Sequence, residues 1–432
     1  MSLTKLLQRQ GPYLHPNPAR VVVRQFKPAT EPRDLNPTDK SRANHIVERV
    51  LALDSETAAA QLAEVLENFE GRHRNLVDLF EARANDMEEA IAAHVKFTKE
   101  QRRLIGAYFL HEYSFEAAAL FNPSLVAHFD QIGASAHGRR FILSVRAVGE
   151  GHVSSLTFRS GFIADDGTVT LDPTARLASI PKVIRRVPGE NGDEVDLAFS
   201  TDEDLSERVI FPVTDAQSNG IEDARFVTFD TGTETIFYAT YTAYSGRAIR
   251  SELLETRDFI SFKMVPLKGS AAKNKGMALF PRRIGGQYAM IGRQDNENLY
   301  LIYSDDLHTW NGGIPILRPK FPWEFVQMGN CGSPIELDEG WLLLTHGVGP
   351  VRKYSIGAVL LDKGDPSRVL ARTREPLVRP DPLEREGYVP NVVYTCGAMR
   401  HGDRLILPYA ISDTFCNFAS VGIPALLNGM ER

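Results

Sequence analysis

From Phe121 onward the chain is a succession of short apolar or alternating runs, each bounded by Gly, Asp or Asn, and this pattern constrains the fold more than any other feature. Phe141–Val145, Ile236–Tyr241, Tyr288–Ile291, Trp341–Thr345 and Leu405–Tyr409 have the length and residue types of buried or half-buried strands. Two connecting segments are alike. TRDFISF ends at Phe262 and SDDLHTW ends 48 residues later at Trp310, each with an Asp, a hydrophobic residue after it and an aromatic three positions beyond. A unit of that size holds about four short strands, and so small a sheet buries its faces only by packing on the next. Residues 121–432 are therefore expected to form a mainly β, five-bladed β-propeller, with room for insertions.

In each unit one strand ends in a polar group beside small residues. These are Arg146 in SVRAVGEG, Tyr241 to Tyr244 in TYTAYSG, Arg293 in MIGRQD, His346 in LTHGVG and Asp413 in YAISDT. Equivalent strands of successive blades face one channel, so these ends are expected to converge there. The first interval, 95 residues from Arg146 to Tyr241, predicts a long insertion around residues 165–205.

Residues 1–120 have a different character and are read as an N-terminal arm and α-helical extension. Six prolines between Pro12 and Pro37 punctuate one short β-like run, Arg20 to Phe26, which predicts an extended arm lying across the main domain or reaching a second subunit. From Asn44 to Glu116 proline is absent and helical spacing appears. Leu62, Val65, Leu66 and Phe69 form one stripe, and Leu76, Leu79 and Phe80 begin another. Thr98 and Gln101 have capping-box spacing ahead of Leu104, Ile105, Tyr108 and Phe109. Such an extension also suits self-association into a homo-oligomer.

The formal charge is −6, and no Lys/Arg run exceeds two residues, which argues against a dedicated nucleic-acid or anionic-membrane surface. No apolar stretch is long enough for a bilayer span or a secretory signal. Cys331, Cys396 and Cys416 lack metal-ligand spacing and read as reduced thiols of a cytoplasmic protein. No metal or organic cofactor is expected.

Ser218-Asn219-Gly220-Ile221-Glu222-Asp223-Ala224-Arg225 is the most unusual segment: a turn-forming Asn-Gly, two adjacent carboxylates and an arginine leading into a strand. Strand alternation would let Asp223 and Arg225 face one substrate but would turn Glu222 away. In isolation the segment is equally well a strand-end salt bridge. Lys275 alone is a solvated loop lysine, and His346 alone a core histidine.

The ordered series of motifs changes those readings. Gly220, Glu222, Asp223 and Arg225 match the G-x-E-D-x-R signature of glycoside hydrolase family 130, the five-bladed propellers that include the β-mannoside phosphorylases. The resemblance continues through Asn122-Pro123, TYTAYSG, Lys275 and Phe280 in KGMALFPRRIGG, GRQD, SDDLHTW, GSPIE, GWLLLTHGV, YSIGAVLLDKGDPSRVLART, VPNVVYTCGA and Ser412-Asp413-Thr414, covering about residues 120–420. It implies an inverting phosphorolysis of β-linked manno-oligosaccharides to α-mannose 1-phosphate, with inorganic phosphate as co-substrate. Asp223 would be the general acid, its proton passing through a mannose hydroxyl. Asn122, Arg146, Glu222, Arg225, Tyr241 and Asp413 would hold the sugar, and Lys275, Arg293, His346, Arg352 and Tyr354 would bind phosphate. A phosphorylase needs no general base, because phosphate is already a nucleophile, but it needs cations to hold that anion. The loop Tyr244-Ser245-Gly246-Arg247 departs from the Arg-Asn pair many phosphorylases carry, with Arg247 or Arg250 as substitutes. An inverting β-mannosidase of the same fold therefore stays open, as does a sugar-binding propeller without turnover.

Overall fold

The computed structural model describes residues 3–29, 40–91 and 97–432; Pro32 and Pro37 lie outside the described residues. Two compact units are present. One comprises residues up to 18, 115–175 and 180–432, and the other residues 19–114 with 176–179.

The smaller unit contains helices Arg42–Leu51, Ser55–Phe69, Leu76–Ile91 and Lys99–Tyr108, with a two-stranded sheet of Val22–Gln25 against Leu110–Tyr113. The caps follow from the sequence. Ser41 and Asp54 accept from the backbone N–H groups of Asn44 and Thr57, and Thr98 with Gln101 forms the expected capping box. Val47, Val50, Met87, Leu104, Ile105 and Phe109 make its core. Leu79 and Tyr108, expected in the apolar stripes, are instead 37% and 46% exposed, since each helix buries a narrower face than the spacing allows. The strand Leu110–Tyr113 ends the helical run earlier than expected, because it pairs with the β-like segment recognised at Arg20 to Phe26.

The larger unit is mainly β. All five expected strands are present, within Arg139–Val148, Thr235–Tyr244, Tyr288–Gly292, Trp341–Gly349 and Arg404–Ile411. They belong to sheets of eleven, four, five and five strands, built almost entirely from antiparallel neighbours. The eleven-stranded sheet consists of two antiparallel groups joined by a single parallel pair, Gly220 with Ser154. The insertion around residues 165–205 supplies a hairpin, Lys182–Val187 with Glu194–Ala198, that extends this sheet beyond Ser261–Pro266.

The TRDFISF and SDDLHTW repeat has a local cause. Asp258 Oδ1 accepts from the N–H groups of Ile260 and Ser261, and Asp306 Oδ1 accepts from that of His308, so each aspartate closes a turn. The chain then returns with its aromatic inside: Phe262 and Trp310 are 3% and 0% exposed, and Trp310 donates to the Leu307 carbonyl. Burying a ring as large as Trp310 contributes about 4 kcal/mol relative to exposure.

The first part of the arm follows one of its two expected courses. Strand Gln8–Leu14 pairs antiparallel with Phe415–Gly422 of the same chain, so residues up to 18 belong with the β-rich unit and not with the helices. Among the described residues no helix is long and apolar enough to cross a membrane, and no group of three or more His, Cys, Asp or Glu is placed to hold a metal.

Candidate active site

Two strand irregularities build the site. In the pairing of Gly220–Asp230 with Thr235–Tyr244, Glu222 lies opposite Thr242 and Arg225 opposite Thr240, so Asp223 and Ala224 together face Tyr241. This is a β-bulge, and it overturns the alternation expected for Glu222 and Asp223. A second bulge, between Phe121 and Ser124, contains Asn122-Pro123, where the proline has no N–H to give to the ladder. Asn122 and Asp223 have φ of 51° and 54°, in the left-handed region that short Asn and Asp side chains tolerate best. Val351, Arg352, Ser412 and Asp413 share that conformation, at φ of 56°, 52°, 49° and 48°. Left-handed backbone thus recurs at four of the expected site residues, Asn122, Asp223, Arg352 and Asp413.

The bulges bring both neighbouring carboxylates onto one arginine. Arg146 donates to Glu222 Oε1 at 2.7 Å and to Asp223 Oδ1 at 3.2 Å. Asn122 Nδ2 donates to the same Asp223 oxygen at 2.7 Å, and Lys275 pairs with Glu222. The Arg146 guanidinium lies 4.9 Å from the centre of the Phe121 ring. Arg225 donates to the Asp223 carbonyl at 2.8 Å and to the Tyr394 hydroxyl at 2.9 Å.

A second group adjoins this one through Tyr394. Its ring is 4.8 Å from that of His346, which stacks on Tyr354 at 5.9 Å, and the Arg352 guanidinium lies 5.7 Å from the Tyr354 ring. Arg293 donates to His346 Nε2 at 3.2 Å, which assigns the imidazole proton to Nδ1. Gly329 is required beside it: a Cβ there would stand 2.4 Å from His346 Cε1.

Burial and charge set the protonation states. Burial pushes the Asp223 pKa up, but Arg146, Arg225 and Lys275, helped by Asn122, outweigh it and bring it to about 2. His346 is held well below the usual imidazole value by burial and then by Arg293 and Arg225, so it is neutral in the free protein. Burial is also the largest influence on Asp413. It raises the carboxyl to about 7, with Asp223 adding to the rise and Arg146 and Arg352 opposing it.

The shift at Asp413 has a consequence for stability. A folded-state pKa above the unfolded value means that the folded chain retains a proton the unfolded chain releases. The resulting stabilisation is complete below the unfolded carboxylate value and is lost as pH rises through about 7. Asp413→Asn, neutral throughout, is expected to gain on the order of 2 kcal/mol relative to the parent between pH 5 and pH 9. Thermal melts across that range check this, and a stability difference that does not change with pH would contradict it.

Asn122, Arg146, Glu222, Asp223, Arg225 and Lys275 are thus brought into one network, joined through Tyr394 to Arg293, His346, Arg352 and Tyr354. Tyr241 is not. Its hydroxyl donates to Glu252 at 2.5 Å and accepts from Gln217 at 3.0 Å, and its ring packs in a core with Ile221, Ala224 and Phe237. At the bulge Tyr241 faces the side opposite to Thr240 and Thr242, which explains why the strand-end rule misplaced it. Arg250 is turned to the Asn191 carbonyl and Arg247 is exposed, and neither is brought into this network. Tyr394, unassigned in the sequence reading although it lies in the VPNVVYTCGA motif, links the two halves of the site. The three cysteines are buried and free, and burial raises the Cys331 and Cys396 thiols, Cys331 to about 12, so they pack as neutral groups.

A cavity of about 390 Å³ opens farther along the two bulged strands, among Val126, Phe226, Arg282 and Ala398. Arg282 there is committed to both oxygens of Glu336, at 2.9 and 2.8 Å. Arg293, beside the Asp223 network, has no carboxylate partner among the described residues; its hydrogen bond goes to His346.

Comparison with known proteins places this arrangement. A family model described as beta-1,4-mannooligosaccharide phosphorylase matches residues 197–432. The chain is 36% identical over 222 residues to a 1,2-beta-oligomannan phosphorylase of Thermoanaerobacter sp. (strain X514), covering 50% of this chain and 72% of that protein. It is 31% identical over 232 residues to a beta-1,2-mannobiose phosphorylase of Listeria innocua serovar 6a, covering 51% and 63%. The solved structure of a beta-1,2-mannobiose phosphorylase from Listeria innocua, in complex with beta-1,2-mannobiose, superposes with a TM-score of 0.51 at 24% identity, over 72% of this chain and 92% of that one. The chain is an enzyme, and it belongs to glycoside hydrolase family 130.

Proposed function

We propose that the enzyme is an inverting β-mannoside phosphorylase on a five-bladed propeller, with phosphate attacking the anomeric carbon of a non-reducing β-mannosyl unit. The blade reading is supported by the sheets of four, five and five strands, together with the two antiparallel groups of the eleven-stranded sheet.

The observation that carries the functional reading is Arg293. Its one hydrogen-bond partner among the described residues is the neutral His346, and its Nε is buried without a partner. A half-buried guanidinium with an unpaired Nε and no carboxylate partner gains from an anion that completes it. Lys275, with its side chain 35% exposed beside Glu222, and Arg352 would hold further phosphate oxygens. Asn122, Arg146, Glu222 and Asp413 would surround the transferred mannose.

The proton balance follows from this assignment. The bond from the anomeric carbon to the bridging oxygen breaks, a bond to a phosphate oxygen forms, and the proton of hydrogen phosphate ends on the released sugar hydroxyl. Asp223 transmits a proton to the leaving oxygen through a mannose hydroxyl. Since it is ionised in the free enzyme, it must take that proton up when substrates bind. The incoming phosphate charge favours this uptake, because like charges raise a carboxyl pKa. No metal or organic cofactor enters the scheme.

The reading is tested by incubating β-1,2- and β-1,4-mannobiose with and without phosphate. α-Mannose 1-phosphate is expected, and only when phosphate is present. Free mannose released at the same rate in both buffers would establish the hydrolase instead. Sugar binding with no product in either would establish a binding module.

A further inference from the structure

The segment 379–391, between strands Val369–Arg372 and Val393–Tyr394, lies against the site and has no part in the scheme above. Both of its ends are fastened. Arg9 on the strand Gln8–Leu14 donates to Asp381, to Glu384 and to the Arg379 carbonyl, and Arg379 donates to the Thr4 hydroxyl. At the other end Tyr388 N–H donates to the Thr414 hydroxyl at 2.7 Å and Val389 N–H to the Ser412 carbonyl at 2.9 Å, on either side of Asp413. Gly387 makes this contact feasible, since a Cβ there would lie 2.7 Å from the Ser412 carbonyl oxygen.

The segment presents one aromatic ring at the rim. The Tyr388 hydroxyl meets His152 Nδ1 at 2.5 Å, which restrains the ring. Its centroid is 6.4 Å from that of Phe121, the ring that carries Arg146 and, through it, Asp223. Exposure changes sharply over this short path: Tyr388 is 41% exposed, whereas the Arg146 and Asp223 side chains are 17% and 13% exposed. A sugar whose anomeric carbon reaches Asp223 is therefore deep, and the sugar it leaves behind is at the rim, beside Tyr388. A fixed aromatic face suits the apolar face of a pyranose and loses little freedom when it binds.

We propose that Tyr388, steadied by His152, is the stacking platform for the leaving-group sugar, and that Arg9 is a positioning residue that holds the segment carrying it. This rests on the reading of the site as one that cleaves β-mannosides. It gives the N-terminal strand a part in choosing the acceptor.

The full-length enzyme and its variants are to be compared in phosphorolysis of β-mannobiose and in the reverse reaction from α-mannose 1-phosphate with mannose as acceptor. Tyr388→Ala is expected to raise KM for mannobiose and for the acceptor about tenfold, the scale of one aromatic stacking contact, with KM for phosphate changed less than about twofold. Tyr388→Phe keeps the ring, so its acceptor KM is expected to stay within about threefold. Arg9→Ala is expected to move the same KM in the same direction with the melting temperature and the phosphate KM unchanged. An unaltered acceptor KM in Tyr388→Ala, or an equal rise in the phosphate KM, overturns the platform. If the parent enzyme instead releases mannose without phosphate, the phosphorylase reading fails by itself. The mannobiose KM of Tyr388→Ala in that hydrolysis then decides the platform separately.

Discussion

Asp223→Asn is expected to lower phosphorolysis about a hundredfold to ten-thousandfold, the range of a positioned proton donor lost outright. The exchange is nearly isosteric, and the amide oxygen can still accept from Asn122 and Arg146, so the pocket keeps its shape. What disappears is the acidic proton and one negative charge. Phosphate binding, followed by calorimetry, is therefore expected to hold or tighten, because the anion no longer meets a like charge beside Arg146, Arg225 and Lys275. Lost turnover with retained phosphate affinity separates a chemical role from a structural one. More than about a tenth of the parent activity in Asp223→Asn would remove it from the chemistry, since general acid catalysis alone exceeds that factor. Glu222→Gln is a useful contrast. Glu222 accepts from Arg146 and Lys275, so its loss disorders two cations without removing the acid.

How much of this could be read from the sequence depends on whether a feature is local. The five apolar runs became strands because each run carries its own burial pattern, and Thr98 with Gln101 became a capping box because both partners lie within one turn. Arg146, Arg293 and His346, which the structure brings near one another, were visible for the same reason: each follows an apolar run within or directly after its own strand. Bulges are not local in that sense. Whether Glu222 and Asp223 alternate or converge depends on the register with Thr240 and Thr242, which the alternating pattern does not encode. The Pro of Asn122-Pro123 was the one visible sign of such an irregularity. Tyr241 failed the same rule in reverse, because a strand-end aromatic faces the cluster or the core according to that register. Tyr394 and Arg9 act on partners 169 and 370 or more residues away, and nothing near either residue marks such a pairing.

Arg293→Ala decides between phosphate and water as the attacking group. If Arg293 holds the anion, its loss is expected to raise the KM for phosphate about a hundredfold, the scale of a buried charge-assisted pair, while the KM for mannobiose moves less than about threefold. His346 offers a second readout. It is neutral in the free enzyme because of burial first and then the charges of Arg293 and Arg225, so removing Arg293 leaves burial as the main restraint and lets the imidazole protonate at higher pH than before. A protonated His346 would replace part of the lost charge. The phosphate KM of Arg293→Ala is accordingly expected to fall as pH is lowered from neutral, whereas the parent enzyme, with Arg293 in place, has a shallower dependence. A hydrolase predicts neither effect, since water needs no cation to hold it. Mannose release by Arg293→Ala at the parent rate, independent of phosphate and of pH in this range, would therefore transfer the site from phosphorolysis to hydrolysis.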